Sequence, residues 1–201
     1  MSFWFKGWDG YTTVQMAQRI MSPCQTFVDV GCGIAPCVYM LAARHVCVEP
    51  HEEYWPLAIE HAERPIEILK GTWKEKRDEV IALKPDVIMA IDVIEHMSRE
   101  EGEVFKKDLQ EIPLFGSAVF TPWGFQEQSY KDGEKDAWGY NGQHWQTHRS
   151  GWLPEDFPGW HILKSRGEKV PGEWIETLTA FYDKAGIFER PFAQITLGRP
   201  T

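Results

Sequence analysis

Phe27-Val28-Asp29-Val30-Gly31-Cys32-Gly33-Ile34-Ala35-Pro36, with His45-Val46-Cys47-Val48-Glu49-Pro50 following it, is the stretch whose reading decides the fold. An apolar run ends in an acid and breaks into a glycine turn, and a second apolar run ends in another acid. Glycines at 31 and 33 permit backbone angles and close approaches that a side chain would block. Pro36 carries the φ suited to a first helical residue, so a helix is expected to open there. The free N–H groups of such a helix favour an acceptor nearby.

Which acceptor follows from the acids. A dinucleotide fingerprint reads G-x-G-x-x-G, and its third position is Pro36 in this chain. Asp29, two residues before the first glycine, would repel a pyrophosphate. An acid there suits a cationic ligand, since a unit pair at 4 Å gains about 1 to 4 kcal/mol between bulk water and a surface-like dielectric. Glu49 lies 20 residues beyond Asp29, at the expected end of the next parallel strand, where an acid takes both hydroxyls of a ribose. A cationic amine and a ribose with no pyrophosphate describe S-adenosylmethionine.

These residues, with Asp86-Val87-Ile88-Met89-Ala90-Ile91-Asp92-Val93-Ile94-Glu95-His96-Met97, resemble the class I, Rossmann-like S-adenosylmethionine-dependent methyltransferases. The resemblance fades after Gly124. It implies that Asp29 faces the methionine end of the cofactor while Gly31, Cys32 and Gly33 contribute backbone. Glu49 then holds the ribose, Pro50, Thr72 and Trp73 flank the adenine, and Asp92 and Val93 line the reacting methyl. Gly71-Thr72-Trp73 departs from the family, which often has an acid there for the adenine amine.

The expected fold is α/β, a doubly wound, mostly parallel seven-stranded sheet with helices on both faces. Strands are expected at 26–30, 45–49, 66–69, 87–91 and 117–121, with 161–166 following a long insertion. A helix is expected around Trp174 to Lys184, and a final antiparallel strand near Phe192 to Leu197. Thr72 with Glu75 and Ser98 with Glu101 read as capping boxes. A further helix is expected over Thr12 to Met21, preceded by an aromatic cluster of Phe3, Trp4, Phe5, Trp8 and Tyr11. The 201 residues are read as one domain, 1–201, with residues 1–22 as an N-terminal aromatic segment and helix.

Between Pro122 and Gly159 the chain loses periodicity and becomes rich in Gly, Trp, Gln, His and Asp. Five tryptophans from Trp123 to Trp160 argue for an ordered, substrate-side insertion (122–159) after the fifth strand. Trp123 and Phe125 are candidate substrate clamps, and Arg149 and His144 are candidate substrate contacts. Methyl transfer from a sulfonium needs alignment and exclusion of water, plus a base where the acceptor must lose a proton. His148 and His96 are the candidates for that base. His45, His51, His61 and His161 read as strand-end or surface residues.

A net charge of -9 without a Lys/Arg cluster argues against nucleic acid as partner. No apolar run approaches a membrane span and no signal peptide is read, so a cytoplasmic protein is expected. Cys24, Cys32, Cys37 and Cys47 form no C-x-x-C pair and read as reduced thiols. No metal is expected, because His144 and His148 lack a helical setting and a third ligand. The expected activity is methyl transfer to a small-molecule oxygen or nitrogen acceptor. A nicotinamide-dependent oxidoreductase and a non-catalytic cofactor-binding or interaction module are the alternatives, and oligomeric state stays open.

Overall fold

The computed structural model describes residues 3–4, 12–170 and 173–186. Its sheet contains β1 (Phe3–Trp4), β2 (Cys24–Val30), β3 (Ala42–Glu49), β4 (Glu67–Lys70), β5 (Val87–Ile91), β6 (Gly116–Pro122), β7 (His161–Val170) and β8 (Glu173–Asp183). Their order is β1-β7-β8-β6-β5-β2-β3-β4. Only β8 runs antiparallel to its neighbours; the rest point one way. The doubly wound, mostly parallel sheet expected from the sequence is present, extended by the two-residue β1.

Alternation along the strands sorts the core into two faces. Val28, Val30, Val46, Val48, Ile88 and Ala90 point to the face covered by α3 (Trp73–Leu83) and α4 (Arg99–Glu111). Phe27, Val87, Met89 and Ala118 point to the other, under Ala17 of α1 (Thr12–Ile20) and Met21 just beyond it. Also on that side, Ala58 of α2 (Tyr54–His61) packs against Cys32 and Cys47. Both capping boxes form: Thr72 and Ser98 accept from the N–H of Glu75 and Glu101, whose carboxylates accept in return. Lys84, in the left-handed conformation at φ 50°, ends α3 just before Pro85.

Three expectations are corrected. No helix follows the glycine turn: residues 31–41 cross to β3 as irregular chain. Cys37 and Met40 fill the face that a helix would cover, and the Cys37 N–H donates to Asp29 Oδ2 at 2.7 Å. The helix expected around Trp174 to Lys184 is β8, wedged between β6 and β7. Its run Thr177-Leu178-Thr179-Ala180-Phe181 is buried on both faces, a pattern that periodicity alone does not separate from a buried helix. His45 is not on the surface: its side chain is 10% exposed and lies 3.4 Å from Asp29. The strand near Phe192 to Leu197 and the aromatics Phe5, Trp8 and Tyr11 lie outside the described residues.

All four cysteines are free and buried. Among the described residues no helix is long and apolar enough to cross a membrane.

Candidate functional site

Parallel strands β2, β3, β4, β5 and β6 end on one side of the sheet, and the loops that leave them meet there. The turn after β2 has Gly31 at φ 65° and Gly33 at φ 55°, conformations that side chains resist. A Cβ on Gly31 would stand 2.6 Å from Val93 Cγ2, so the turn is seated directly on the loop after β5. Gly31 N–H donates to Val48 O at 2.7 Å, tying the same turn to β3.

Glu49 closes β3 and is 3% exposed. Its Oε2 accepts from Gly33 N–H at 2.9 Å and its Oε1 from His51 N–H at 2.8 Å. Burial pushes its pKa up to about 7 against the pull of those two donors. Asp29 is buried as well and turned toward the chain after the turn, holding Cys37 N–H and the ring of His45. Burial works against a charge on His45, but its contacts with Asp29 and Cys47 outweigh that and hold its pKa at about 9.

The adenine contacts drawn from the resemblance need correction at Trp73. That side chain is buried, edge-on to Phe105, with Nε1–H donating to Asp108 at 3.0 Å, and it does not reach the loop side. The hydroxyl of Thr72 is engaged in capping α3. Pro50 stays half-buried next to Glu49, and Trp55 donates to Glu49 O at 2.9 Å.

The loop after β5 carries the polar chemistry. Asp92 has φ 53°, a strained angle for a residue with a side chain. Glu95 and His96 follow in a short 3-10 turn, Ile94–His96. Glu95 is 1% exposed; its Oε2 accepts from Thr121 at 3.0 Å, while Oε1 is buried without a hydrogen-bond partner. Burial first, and then the nearby Asp92 carboxylate, push the Glu95 pKa well above the usual range. Burial and the facing His148 ring lower His96 to about 4, leaving it neutral at physiological pH.

The insertion delivers His148 to this point. The His96 and His148 rings lie 4.9 Å apart, centroid to centroid. His148 N–H donates to Gln128 O, and its Nδ1 lies 2.6 Å from Gln126 O. The backbone N–H groups of Arg149 and Ser150 both donate to Glu95 O, at 2.7 and 3.1 Å. Below them Trp152 is fully buried, with Arg99 stacked 3.9 Å over its ring.

Among the expected site residues, the structure sets the rings of His96 and His148 side by side, and Asp92 and Val93 lie in the same loop after β5 as His96. Arg149 is used otherwise than expected: its guanidinium donates to the carbonyls of His96, Thr147 and His144, so it fastens the insertion instead of waiting for an anion. His144 packs edge-on to Trp145, and its carbonyl accepts from Arg149. Phe125 is 60% exposed, and Trp123 is capped by Lys164, whose Nζ stands 3.3 Å from the ring centroid.

No motif or spacing points to Asp136 and Trp138. Asp136 accepts from the N–H groups of Trp138, Tyr140 and Gly142 and from the Tyr54 hydroxyl, which folds residues 136–142 around one carboxylate. The Trp138 ring is thereby laid on Gly33, where any Cβ would collide with it. Distant partners give this segment its position: Tyr54 on α2 holds Asp136, and Glu53 just before α2 accepts from the backbone and side-chain N–H groups of Asn141.

Neither a protein-family model nor a curated protein matches the chain. Solved structures match its fold at low identity. TehB from Haemophilus influenzae aligns over 86% of this chain and 61% of its own, with 15% identity and a TM-score of 0.55. Magnesium protoporphyrin IX methyltransferase ChlM from Synechocystis, solved with S-adenosylhomocysteine, aligns over 87% and 84%, with 12% identity and a TM-score of 0.50. A methyltransferase dependent on S-adenosylmethionine, from Archaeoglobus fulgidus, aligns over 86% and 93%, with 13% identity and a TM-score of 0.50. The chain has the Rossmann-like fold of class I S-adenosylmethionine-dependent methyltransferases.

Proposed function

We propose that the chain transfers a methyl group from S-adenosylmethionine to a small molecule that attacks through oxygen or nitrogen. The observation that carries this reading is the convergence of three features where the parallel strands end: the glycine turn on Val93, Glu49 at the tip of β3, and the Asp92 loop. A buried carboxylate held in place by two backbone N–H groups is organised before any ligand arrives, and its remaining lone pairs suit a pair of ribose hydroxyls.

In this reading Gly31, Cys32 and Gly33 offer backbone to the cofactor, with Glu49 on the ribose and Asp92 and Val93 beside the reacting methyl. Asp29 acts mainly on the protein, anchoring the crossing chain through Cys37. Pro50 borders the adenine. The leaving group is carried by the cofactor itself, so the chain's part is alignment, exclusion of water and handling of the acceptor's proton. The acceptor enters on the side of residues 122–159, past Trp123 and Phe125, and meets His96 and His148. A net charge of -9 favours a small acceptor over a polyanion.

Titration calorimetry with S-adenosylmethionine and S-adenosylhomocysteine tests the reading. Saturable binding of both is expected, weakened about 10- to 100-fold by Glu49→Gln, which replaces charge-assisted hydrogen bonds to the ribose. Folded protein that binds neither compound would overturn the assignment.

A further inference from the structure

The geometry points to a divalent metal site made by Glu95 Oε1 and one ring nitrogen each of His96 and His148, at the junction of the β5 loop and the insertion. One carboxylate oxygen of Glu95 and one ring nitrogen of each histidine lie within 4.8 Å of one another. Two imidazoles and one carboxylate are the donor set of catalytic zinc and of open transition-metal centres, whereas magnesium and calcium take oxygen ligands. The ion expected is therefore zinc or a neighbour such as cobalt(II), manganese(II) or iron(II).

Two independent features favour ligation over a satisfied core cluster. The first is Glu95 Oε1, a carboxylate oxygen buried without a hydrogen-bond partner. Leaving a buried acceptor unpaired costs about 1 to 3 kcal/mol; the group beside Glu95 is another carboxylate, Asp92, and among the described residues no Lys or Arg forms an ion pair with Glu95. A cation at Oε1 would supply the missing partner. The second is the outer layer of contacts that ligating groups require. Thr121 donates to Glu95 Oε2 at 3.0 Å, and Gln126 O accepts from the His148 ring at 2.6 Å. A carbonyl only accepts, so Nδ1 of His148 carries the proton and Nε2 is the nitrogen with the lone pair. Nδ1 of His96 lies 3.3 Å from Thr147 O.

A second cluster, Asp29, His45 and Cys47, has comparable spacing. Its groups already satisfy one another and the chain: Asp29 Oδ2 takes Cys37 N–H, and the His45 ring bridges Asp29 and Cys47. Nothing there lacks a partner. The Glu95 cluster also faces the loop side of the sheet, where an acceptor hydroxyl bound to the ion would lose its proton to solvent more readily. The histidines named above for the acceptor's proton then act as ligands, and the acceptor class narrows to one that offers oxygen to a metal.

Cobalt(II) titration of chelator-treated protein, read by visible absorption and calorimetry, tests the site without cofactor or acceptor. One equivalent is expected, with d–d bands and without a thiolate charge-transfer band. His148→Ala and Glu95→Gln should each weaken binding at least about 100-fold. Thr121→Val, which keeps volume and removes one outer contact, should weaken it about 10-fold. Circular dichroism verifies folding, and cobalt should raise the melting temperature of the wild type but not of His148→Ala. Absence of a saturable cobalt site, binding unchanged in both ligand variants, or a thiolate band placing the ion at Cys47 would each overturn the proposal. Failure to bind S-adenosylmethionine would remove the proposed function and leave this result standing.

Discussion

Residues 24–97 and residues 123–160 face each other across the same side of one sheet and are built in opposite ways. The first region is held by strand register: β2 pairs with β3 and β5 over most of its length, and the turn between strands is pinned by Gly31 N–H on Val48 O. The second has almost no regular structure, only the four-residue helix Gln143–Gln146 and a 3-10 turn at Pro154–Asp156. It is held by a few anchors instead: Trp152 in the core, Arg149 and Ser150 on Glu95 O, and Asp136 with Tyr54. A registered region spreads its stability over many small bonds, while an anchored one concentrates it in few side chains. Single substitutions should therefore act more strongly in the insertion than in the strands.

The largest effect is expected at Trp152. It is fully buried, donates through Nε1 to Ser150 Oγ at 2.9 Å, and packs its ring against Gly102 and Arg99. Trp152→Ala should cost about 4 kcal/mol in urea unfolding. A cost below about 1 kcal/mol would mean that the insertion is draped on the domain and not anchored in it, and the contrast between the regions would be lost.

Next comes Gly31→Ala, in the registered region. A side chain at φ 65° costs about 1 to 2 kcal/mol, and crowding against Val93 adds a similar amount, for about 3 kcal/mol in total. Cofactor binding should fall with it, because relief comes only by lifting the turn off the β5 loop. Full cofactor affinity in a destabilised Gly31→Ala would separate the turn's structural role from its binding role.

A third prediction uses pH. The folded-state pKa of His45, held at about 9, lies above the usual 6.5. The stabilisation is thus fully present below about pH 6.5 and is lost as pH rises through about 9; a displacement of that size is worth about 3 kcal/mol. Unfolding free energy measured from pH 6 to 10 should fall more steeply in the wild type than in His45→Gln, which keeps only the falls due to Glu49 and the buried cysteines. An equal fall in both would show that the buried Asp29–His45 pair does not support the crossing chain.

The same contrast explains how much could be read from sequence. Strands β2 to β6 were legible because each is a short apolar run with local punctuation, and both capping boxes rest on residues three apart. The absent helix after the turn was not legible: Pro36 suits a helix start, and only the tertiary bond from Cys37 N–H to Asp29 shows that the chain is used otherwise. β8 misled because a central strand is apolar on both faces. For the proposed site, His96 and His148 are singled out by residue type and Asp92 by its place after a strand. Asp136 and Trp138 were invisible, since their positions depend on Tyr54, 82 residues from Asp136 in sequence. Arg149 was misjudged because a guanidinium that binds carbonyls looks the same in sequence as one that binds an anion.

The smallest effect on stability, and the sharpest on function, is expected where the two regions touch. Trp138 is 44% exposed, so Trp138→Ala should change stability by less than about 1 kcal/mol. Its indole nevertheless lies on Gly33, against the backbone that the cofactor is proposed to use. If the cofactor must displace the ring, it forgoes the burial of about 60 Å² of apolar surface, or about 1.5 kcal/mol. Trp138→Ala should then bind S-adenosylmethionine about 10-fold more tightly and associate faster in stopped-flow fluorescence. Weaker binding would reverse the roles, making the ring part of the cofactor's seat, and the anchored region would then contribute to cofactor recognition as well as covering the turn.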